Sequence, residues 1–267
     1  MDNIQLVRAH RLGPPGRKDR KLIVRFAHHE DKENVMRNKQ SLRNKQNQIY
    51  IDNDYAPETN RRRSSLMPVV RELRKVDPRA HLRGDKIFSR GRLFSYRQLQ
   101  DLPIDPHVAC TESRGEITLF SGTFSKLSNL YLHPFTMEDR EWHSVEQVYQ
   151  HRKAVRAGDT QGARKILMTN DPVEAMILGK GIDAGPTWEQ EGPKVMKKAQ
   201  LAKFSIPPLK LALMNTKKIV GEATRNQFWG IGTNRGSRDS FSFESWKGKN
   251  IAGQILMEVK AELSEKK

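Results

Sequence analysis

The spacing of apolar residues along the chain predicts short strands mixed with longer amphipathic helices. Alternating apolar positions predict strands at 3–8, 22–26, 48–51, 80–82, 86–88, 92–94, 117–120 and 219–223. Apolar residues at three- and four-residue spacing predict helices at 30–43, 57–75, 162–168, 172–179, 193–204, 207–215 and 252–265, and one more that starts at Ser144. Pro68 is expected to interrupt the second of these helices. The predicted fold class is therefore α+β, a mainly helical domain preceded by a small basic α+β segment.

Prolines suggest how the chain is divided. Its 267 residues are enough for one large domain or two small ones. Pro103 and Pro106 break regular structure, and a short polar stretch at 111–115 follows them. We therefore predict a first segment at 1–103, a linker at 104–115 and a second domain at 116–267.

The segment 142–153, with the sequence WHSVEQVYQHRK, is the most informative for chemistry. Ser144 and Gln147 have the spacing of a capping box, which predicts a helix start. Helical spacing then places three polar residues on one stripe: Glu146, Gln150 and Lys153. This polar stripe is either a face exposed to solvent or the lining of a pocket that contains one carboxylate.

Positive charge is concentrated in the first part of the chain, whose net charge is +17. Residues 1–105 contain 24 Lys and Arg against 13 Asp and Glu, whereas residues 106–267 contain 24 against 18. Such an excess favours a polyanionic partner, and nucleic acid is the commonest polyanion. The alternative is charge that serves solubility alone.

Seven arginines form the predicted nucleic-acid-binding surface: Arg61, Arg62, Arg63, Arg71, Arg74, Arg90 and Arg92. Guanidinium groups pair well with phosphate oxygens, so single-stranded RNA or DNA is the expected partner. Phe88, Phe94 and Tyr96 would stack on unpaired bases, or alternatively belong to the core of a small sheet. Residues 61–63 also fit a nuclear-import signal.

The absence of cysteine pairs, of long apolar runs and of a secretory signal limits the cellular locations that the sequence predicts. The single cysteine, Cys110, excludes an internal disulfide and a cysteine-based zinc cluster. No apolar run reaches the ~18 residues of a membrane span, and the first residues lack the pattern of a secretory signal. We expect a cytoplasmic or nuclear protein with no membrane partner. No cofactor or metal is expected either, because no His, Cys and Asp cluster has ligand spacing. His143 and His151 are interpreted as surface residues or as supports for a site.

Most of the first segment resembles the RNA-binding protein encoded by the first reading frame of LINE-type retrotransposons. The resemblance depends on residues 4–13, on 22–26, and on the Pro-Glu-Thr, triple-arginine and Pro-Val-Val motifs within 57–70. It implies non-specific binding of single strands through the basic part of the segment. The coiled coil and the first half of the RRM-like domain of that family are absent, so its trimerisation is not carried over.

Three residue clusters in the second domain supply groups for binding a phosphorylated or nucleotide-like sugar. Asn129 and Asn250 offer amides for sugar hydroxyls. Positive charge for phosphate is available from three lysines: Lys153, Lys203 and Lys249. The Trp-Gly-Ile-Gly sequence at 229–232 places an aromatic ring beside a backbone that can approach a ligand closely. The alternative is that the tryptophans of these clusters belong to the core and that this turn is a tight chain reversal.

These clusters, in order and spacing, resemble the NADAR (YbiA-like) family from about Ile117 to the last helix. The motifs are W-x3-E and Q-x2-K within 142–153, W-x6-VM-x2-A-x2-AKF at 188–204, FWGIG at 228–232, and GKN-x2-G-x2-LMEV at 248–259. The resemblance implies an N-glycoside hydrolase that cleaves a ribosyl–nitrogen bond, with Glu146 as its catalytic glutamate. The substrate-binding positions predicted with it are Asn129, Trp142, Gln150, Lys153, Asn226, Trp229, Gly230, Gly232 and Asn250.

The resemblance implies two substrate classes. These are ADP-ribose attached to nucleobases and phosphoribosyl pyrimidine intermediates of riboflavin synthesis. The basic first segment favours the nucleobase substrate, because an arm that binds polyanions is useless for a small free metabolite. The remaining alternative is a non-catalytic nucleic-acid-binding protein. Family members commonly have an aspartate where this chain has Asn226, and an amide cannot act as a base.

The chemistry needs at least one carboxylate. Breaking a ribosyl–nitrogen bond makes the sugar carbon cationic, and Glu146 would stabilise that charge and deprotonate the attacking water. The general glycosidase scheme adds a second carboxyl as the acid. With a leaving group as good as a nucleobase, this second carboxyl is dispensable.

Overall fold

A computed structural model describes residues 4–15, 20–42 and 50–265, and the chain divides into two compact units between Asn60 and Arg61. The prolines of the sequence predict the boundary near residue 103 instead. The basic residues that follow Asn60 therefore belong to the same compact unit as the predicted second domain.

The first unit contains a two-stranded antiparallel sheet and a short helix. β1 (Leu6–Arg11) pairs with β2 (Leu22–Phe26), and α1 (His29–Asn38) is followed by a 3-10 turn at Lys39–Leu42. No residue of α1 is buried. The bounds of β2 are as predicted, whereas β1 starts and ends three residues later than predicted. Of the strand predicted at 48–51, residues 50 and 51 form none and the others lie outside the described residues.

A long helix and a small antiparallel sheet follow. α2 (Pro57–Leu73) continues through Pro68, and β3 (His81–Arg83), β4 (Lys86–Ser89) and β5 (Arg92–Phe94) pair in that order. Four buried residues of α2 pack in one cluster with the sheet: Leu66, Val69, Val70 and Leu73. The predicted interruption is therefore wrong, because this packing outweighs the one backbone hydrogen bond that a proline removes.

The predicted linker at 104–115 forms regular structure instead. α3 (Pro106–Cys110) has a proline in its first turn, and Asp105 caps it by accepting a hydrogen bond from a first-turn backbone N–H at 2.9 Å. β6 (Thr111–Arg114) then pairs antiparallel with β7 (Ile117–Phe120). A first helical turn accommodates proline, so Pro106 marks a helix start here rather than a linker.

The rest of the second unit builds a helical layer on this sheet. β8 (Phe135–Met137) and β9 (Arg140–Trp142) form a hairpin that the sequence analysis did not predict. The elements after it are α4 (Val145–Arg156), α5 (Thr160–Met168), α6 (Pro172–Gly179), α7 (Trp188–Phe204), α8 (Pro207–Met214), β10 (Ile219–Glu222) and α9 (Ile251–Glu265). β10 pairs parallel with β7, which gives the sheet order β10-β7-β6.

The helix α4 lies at the centre of this layer. It packs against α5, α6 and α7, while α9 packs against α7 and β10. The main core cluster lies between these elements and includes Trp142, Val145 and Val148. The predicted mixture of helices and strands is confirmed. In the described ranges, none of the helices combines the length and the apolar character needed to cross a membrane.

Candidate active site

Glu146 lies in the first turn of α4, where its side chain is buried. Ser144 caps the helix by accepting a hydrogen bond from the Gln147 N–H at 3.1 Å. The Glu146 N–H donates to the Asn129 carbonyl at 3.0 Å. Glu146 is only 8% exposed, and Gln150 Nε2 donates to its Oε1 at 2.7 Å. The first part of the polar stripe therefore faces the interior rather than solvent.

The environment of Glu146 affects its ionisation in two directions. Burial raises the pKa of Glu146, while the Gln150 hydrogen bond and the positive charge of Lys153 lower it. Lys153 Nζ is held by a hydrogen bond to the Gly179 carbonyl at 3.1 Å. Gly179 also leaves room for Gln150, because a Cβ there would lie 1.9 Å from Gln150 Oε1. The predicted stripe is thus one connected arrangement around a single carboxylate.

A second carboxylate, Glu222, lies within electrostatic reach of Glu146, and the sequence analysis gave it no role. Glu222 is the last residue of β10 and is partly buried. Burial, followed by the negative charge of Glu146, raises the pKa of Glu222 to about 7. The only sequence signal was a lone carboxylate between Gly221 and Ala223 in a predicted strand, and such residues are usually solvated.

Together these two carboxyls favour an unequal ionisation state. A buried pair resists holding two negative charges, so one proton is retained as pH rises. The hydrogen bond from Gln150 and the charge of Lys153 favour the ionised form of Glu146. The charge of Glu146 opposes ionisation of Glu222. The site therefore brings together two carboxyls with raised pKa values, and glycoside hydrolysis uses a pair of carboxyls.

Close backbone contacts after β10 fix the position of Glu222. Asn250 Oδ1 accepts from the Glu222 N–H at 3.0 Å, and Asn250 Nδ2 donates to the Val220 carbonyl at 2.9 Å. A Cβ on Gly230 would lie 2.9 Å from the Glu222 carbonyl and 2.2 Å from Thr224 Oγ1. Asn250 and Gly230 were predicted to bind substrate. The structure gives them the role of holding the strand end that presents Glu222.

Asn226 shapes the adjoining turn through its side-chain oxygen. Asn226 Oδ1 accepts hydrogen bonds from the backbone N–H groups of Phe228 at 2.9 Å and Trp229 at 2.8 Å. An oxygen acceptor is all that this turn requires, so an amide serves as well as a carboxylate. Gly232 continues the turn with a φ of +79°, a conformation that favours glycine.

Tyr149, which lies within electrostatic reach of Glu146, packs against two tryptophans. Trp229 is edge-on to Tyr149, with ring centroids 5.4 Å apart, and the Tyr149 hydroxyl accepts from Trp188 Nε1 at 2.8 Å. Burial and, to a lesser degree, the Glu146 charge raise the pKa of Tyr149 to about 12. Trp142, predicted to contact substrate, is instead a core residue. It is 2% exposed, and its Nε1 donates to a backbone carbonyl.

Asn129 and Lys203 also support the site from within. Asn129 Oδ1 accepts a hydrogen bond from Gln200, and Lys203 Nζ donates to the Ser128 carbonyl at 2.7 Å. Burial lowers the pKa of Lys203 well below its ordinary value. The sequence analysis proposed that Asn129 binds a sugar and that Lys203 binds phosphate. Lys203 instead holds the backbone next to Asn129, whose carbonyl bonds the Glu146 N–H, and the Asn129 side chain bonds Gln200.

The predicted basic surface is partly used for internal contacts. Arg62 pairs with Asp85 at 3.2 Å, Arg63 donates to the Gly84 carbonyl at 2.6 Å, and Arg74 donates to the Ala80 carbonyl at 2.8 Å. The remaining predicted arginines are exposed on α2, β5 and the β4–β5 turn: Arg61, Arg71, Arg90 and Arg92. A smaller exposed surface therefore remains for an anionic partner.

Two of the three predicted stacking aromatics are occupied by packing. Phe94 is 6% exposed and belongs to the core under α2. Tyr96 packs against Phe124 with ring centroids 4.9 Å apart. Phe88 remains partly exposed beside His81. The core alternative is therefore correct for Phe94 and Tyr96. In the described part of the chain, no three His, Cys, Asp or Glu side chains group closely enough to hold a metal ion.

The fold and site define a mixed helical and sheet domain with two electrostatically coupled carboxyls, one at a helix start and one at a strand end. The family profile described as the NADAR domain matches residues 119–264, and the chain belongs to this family. The match begins at Leu119, so the retrotransposon resemblance of residues 1–103 stays a prediction.

Several curated proteins are similar to this chain. Protein irg-1 of Caenorhabditis elegans is 30% identical over 125 residues, 44% of this chain and 59% of that protein, so the match spans little more than half of irg-1. N-glycosidase R617 of Acanthamoeba polyphaga mimivirus is 29% identical over 130 residues, 47% of this chain and 76% of that protein. N-glycosidase YbiA of Escherichia coli (strain K12) is 26% identical over 152 residues, 55% of this chain and 86% of that protein. The NMR structure of E. coli YbiA matches with 26% identity and a TM-score of 0.47, covering 58% of this chain and 89% of that one.

Proposed function

We propose that this protein is an N-glycosidase that hydrolyses a ribosyl–nitrogen bond. The observation that supports it best is the coupled pair of Glu146 and Glu222, two carboxyls with raised pKa values that lie within electrostatic reach of each other. The names of the relatives YbiA and R617, both N-glycosidases, agree with this chemistry.

In this proposal the two carboxyls have different tasks. Glu222 donates its proton to the leaving nitrogen as the ribosyl–nitrogen bond breaks. The Glu146 carboxylate stabilises the positive charge that develops on the sugar carbon, and then takes a proton from the water that attacks this carbon. The main argument for a non-catalytic protein is that Asn226 stands where family members commonly have an aspartate. Glu222 supplies a second carboxyl in this proposal, so a carboxylate at position 226 is not needed.

For the substrate we propose ADP-ribose linked to a nucleobase within single-stranded nucleic acid. Its support is the set of exposed arginines on α2, β5 and the β4–β5 turn, which belong to the same compact unit as Glu146 and Glu222. Phosphates of a nucleic-acid strand suit such a surface, whereas a small phosphoribosyl pyrimidine would not require it.

A product assay on the full chain tests the activity and the substrate together. The substrates are an oligonucleotide ADP-ribosylated on guanine and a phosphoribosyl pyrimidine, with products measured by mass spectrometry. We expect release of ADP-ribose, with rates lowered at least ~100-fold in Glu146→Gln and Glu222→Gln, because each removes a group of the acid–base pair. Glu112→Gln is the matched control, since its side chain is 38% exposed and pairs with Arg114 on the surface.

The outcomes separate the alternatives. Turnover of the phosphoribosyl pyrimidine alone would move the substrate to the small-metabolite class and leave the N-glycosidase proposal intact. No turnover of either substrate, or full activity of Glu146→Gln, would refute that proposal and favour a non-catalytic nucleic-acid-binding protein.

Salt dependence tests the nucleic-acid surface separately. We expect the affinity for a single-stranded oligonucleotide to fall steeply with salt. In a plot of the logarithm of the binding constant against the logarithm of the salt concentration, each lost phosphate contact should make the slope shallower by roughly 0.7. The double variant Arg90→Gln/Arg92→Gln should lower both the affinity and this slope. Arg238→Gln, an exposed arginine outside the predicted surface, should change neither. Equal binding by both variants would contradict the proposed surface.

A further inference from the structure

A cavity separate from the candidate active site lies between the β8–β9 hairpin and α4. Its volume is about 240 Å³, and six residues line it: Met137, Glu138, Arg140, Trp142, His151 and Arg152. Neither Glu146 nor Glu222 is among them. His151 and Glu146 are five residues apart on α4, which places their side chains roughly 140° apart around the helix axis. The cavity therefore opens on a different face of α4 from the candidate active site.

Two arginines and one glutamate line this cavity, which leaves a positive excess among its lining residues. The two arginines are Arg140 and Arg152, and Lys198 of α7 forms an ion pair with the glutamate, Glu138. Glu138 forms ion pairs with both Arg152 and Lys198. The Arg140 guanidinium lies 5.7 Å over the Trp142 ring, and no carboxylate in the described ranges forms an ion pair with it. One cationic group at the cavity is thus left without a counter-charge.

His151 also lines the cavity, and one of its ring nitrogens is buried. His151 is 8% exposed, and its Nδ1 is buried without a hydrogen-bond partner in the part of the chain that the structure describes. Burial, followed by the charges of Arg152 and Arg140, lowers the pKa of His151 to about 4. The ring is therefore neutral at pH 7, and it can still present one N–H to a ligand.

The hairpin tip is held in a conformation that preorganises this cavity. Glu138 and Asp139 have φ values of 52° and 56°, a left-handed backbone that non-glycine residues rarely adopt. The ion pairs of Glu138 to α4 and α7 fix this tip against the helices. Arg140, immediately after the tip, lines the cavity together with His151 and Arg152 of α4.

We propose that this cavity binds a phosphate group, either as the free ion or as a phosphate monoester. Arg140 and Arg152 would supply guanidinium donors, and the N–H of the neutral His151 ring would donate a further hydrogen bond. Guanidinium forks match phosphate oxygens, and such charge-assisted bonds are stronger than neutral ones. The cavity is somewhat smaller than the roughly 300–1,000 Å³ typical of sites for drug-sized ligands, which favours a compact ligand of this kind. This inference does not depend on the proposed N-glycosidase activity.

The His151 ring offers a direct readout of binding. The full chain, with labelled histidine, is titrated with inorganic phosphate at constant ionic strength while the histidine NMR resonances are followed. The His151 signal is assigned by its loss in His151→Asn. We expect a saturable shift of this signal. The same titration with 5-phosphoribose identifies the source of the phosphate, because tighter binding than that of the free ion assigns the site to a monoester.

Arginine variants test the geometry. Arg140→Gln should weaken phosphate binding at least ~10-fold, since it removes a charged hydrogen-bond donor, and Arg140→Lys should retain part of the affinity. Arg238→Gln should bind as the wild type does. A shift that chloride reproduces, an equal response to acetate, or unchanged binding by Arg140→Gln in a folded protein would overturn the proposal.

Discussion

Replacing Glu222 by glutamine should make the protein more stable at alkaline pH. The pKa of Glu222 rises from 4.5 to about 7 in the folded protein, because burial and the charge of Glu146 oppose its ionisation. A carboxyl with a raised folded pKa contributes its stability below the unfolded pKa, and this contribution is lost as pH rises through the folded pKa. The window of change is therefore pH 4.5 to about 7.

The structure gives the size of this effect. Since one pKa unit is worth about 1.4 kcal/mol, ionising Glu222 costs the folded state roughly 3 kcal/mol above pH 8. Glutamine keeps the volume of the side chain and never ionises. The variant should therefore unfold at a higher denaturant concentration than the wild type at pH 8, and at nearly the same concentration at pH 5.

Guanidinium chloride unfolding at both pH values provides the assay, with Glu112→Gln as the exposed control that should follow the wild type. The measurement needs no substrate, so it tests the buried carboxyl pair independently of the proposed reaction. The reasoning would be refuted if Glu222→Gln and the wild type changed equally in stability between pH 5 and pH 8. A drop in the stability of the variant at pH 8 would refute it as well.

Three further predictions concern packing and reactivity. Gln147→Ala should lower the free energy of unfolding by roughly 2–4 kcal/mol, because Gln147 is 3% exposed and its side chain bonds three backbone carbonyls and the His143 N–H. Denaturant unfolding measures this free energy, with the exposed Gln190→Ala as the control. A smaller loss of stability in Gln147→Ala than in Gln190→Ala would contradict the prediction. Gly230→Ala should cost roughly 1–3 kcal/mol and lower turnover, because its Cβ would lie 2.2 Å from Thr224 Oγ1. Gly236→Ala, with open space around it, serves as its control, and equal melting temperatures of the two variants would count against the argument. Burial raises the pKa of the Cys110 thiol to about 11. Its reaction with a disulfide reagent at pH 8 should therefore be at least ~100-fold slower in the folded than in the denatured protein. Comparable reaction rates in the two states would show that the thiol is accessible and would contradict the prediction.

Local patterns predicted most of the regular structure of the second unit. The strands β7 and β10 and the helix α6 lie where alternation and helical spacing place them, and Ser144 caps α4 as expected. Errors arose where packing outweighed a local signal. Pro68 lies inside a continuous helix because four apolar residues of α2 are buried around it, and Pro106 begins a helix rather than a linker.

Site residues were predicted unevenly for a similar reason. Helical spacing placed Glu146 and Gln150 on one face, and the structure joins them by a hydrogen bond. Residue type alone does not distinguish a side chain that meets a ligand from one that holds the backbone. Trp142 and Asn250 were therefore predicted to contact the substrate. In the structure Trp142 lies in the core, and the Asn250 side-chain amide hydrogen-bonds the backbone of β10.

The sequence by itself determined the helix that presents Glu146, because capping and side-chain periodicity act within a few residues of one another. It also determined the family, through four motifs in fixed order. Only the tertiary structure decided that Glu222 is the partner of Glu146. The two residues are 76 positions apart, and the raised pKa of Glu222 results from burial and from a charge that another element supplies. Burial and electrostatic coupling depend on which surfaces meet in the fold, and no local pattern of residues specifies that.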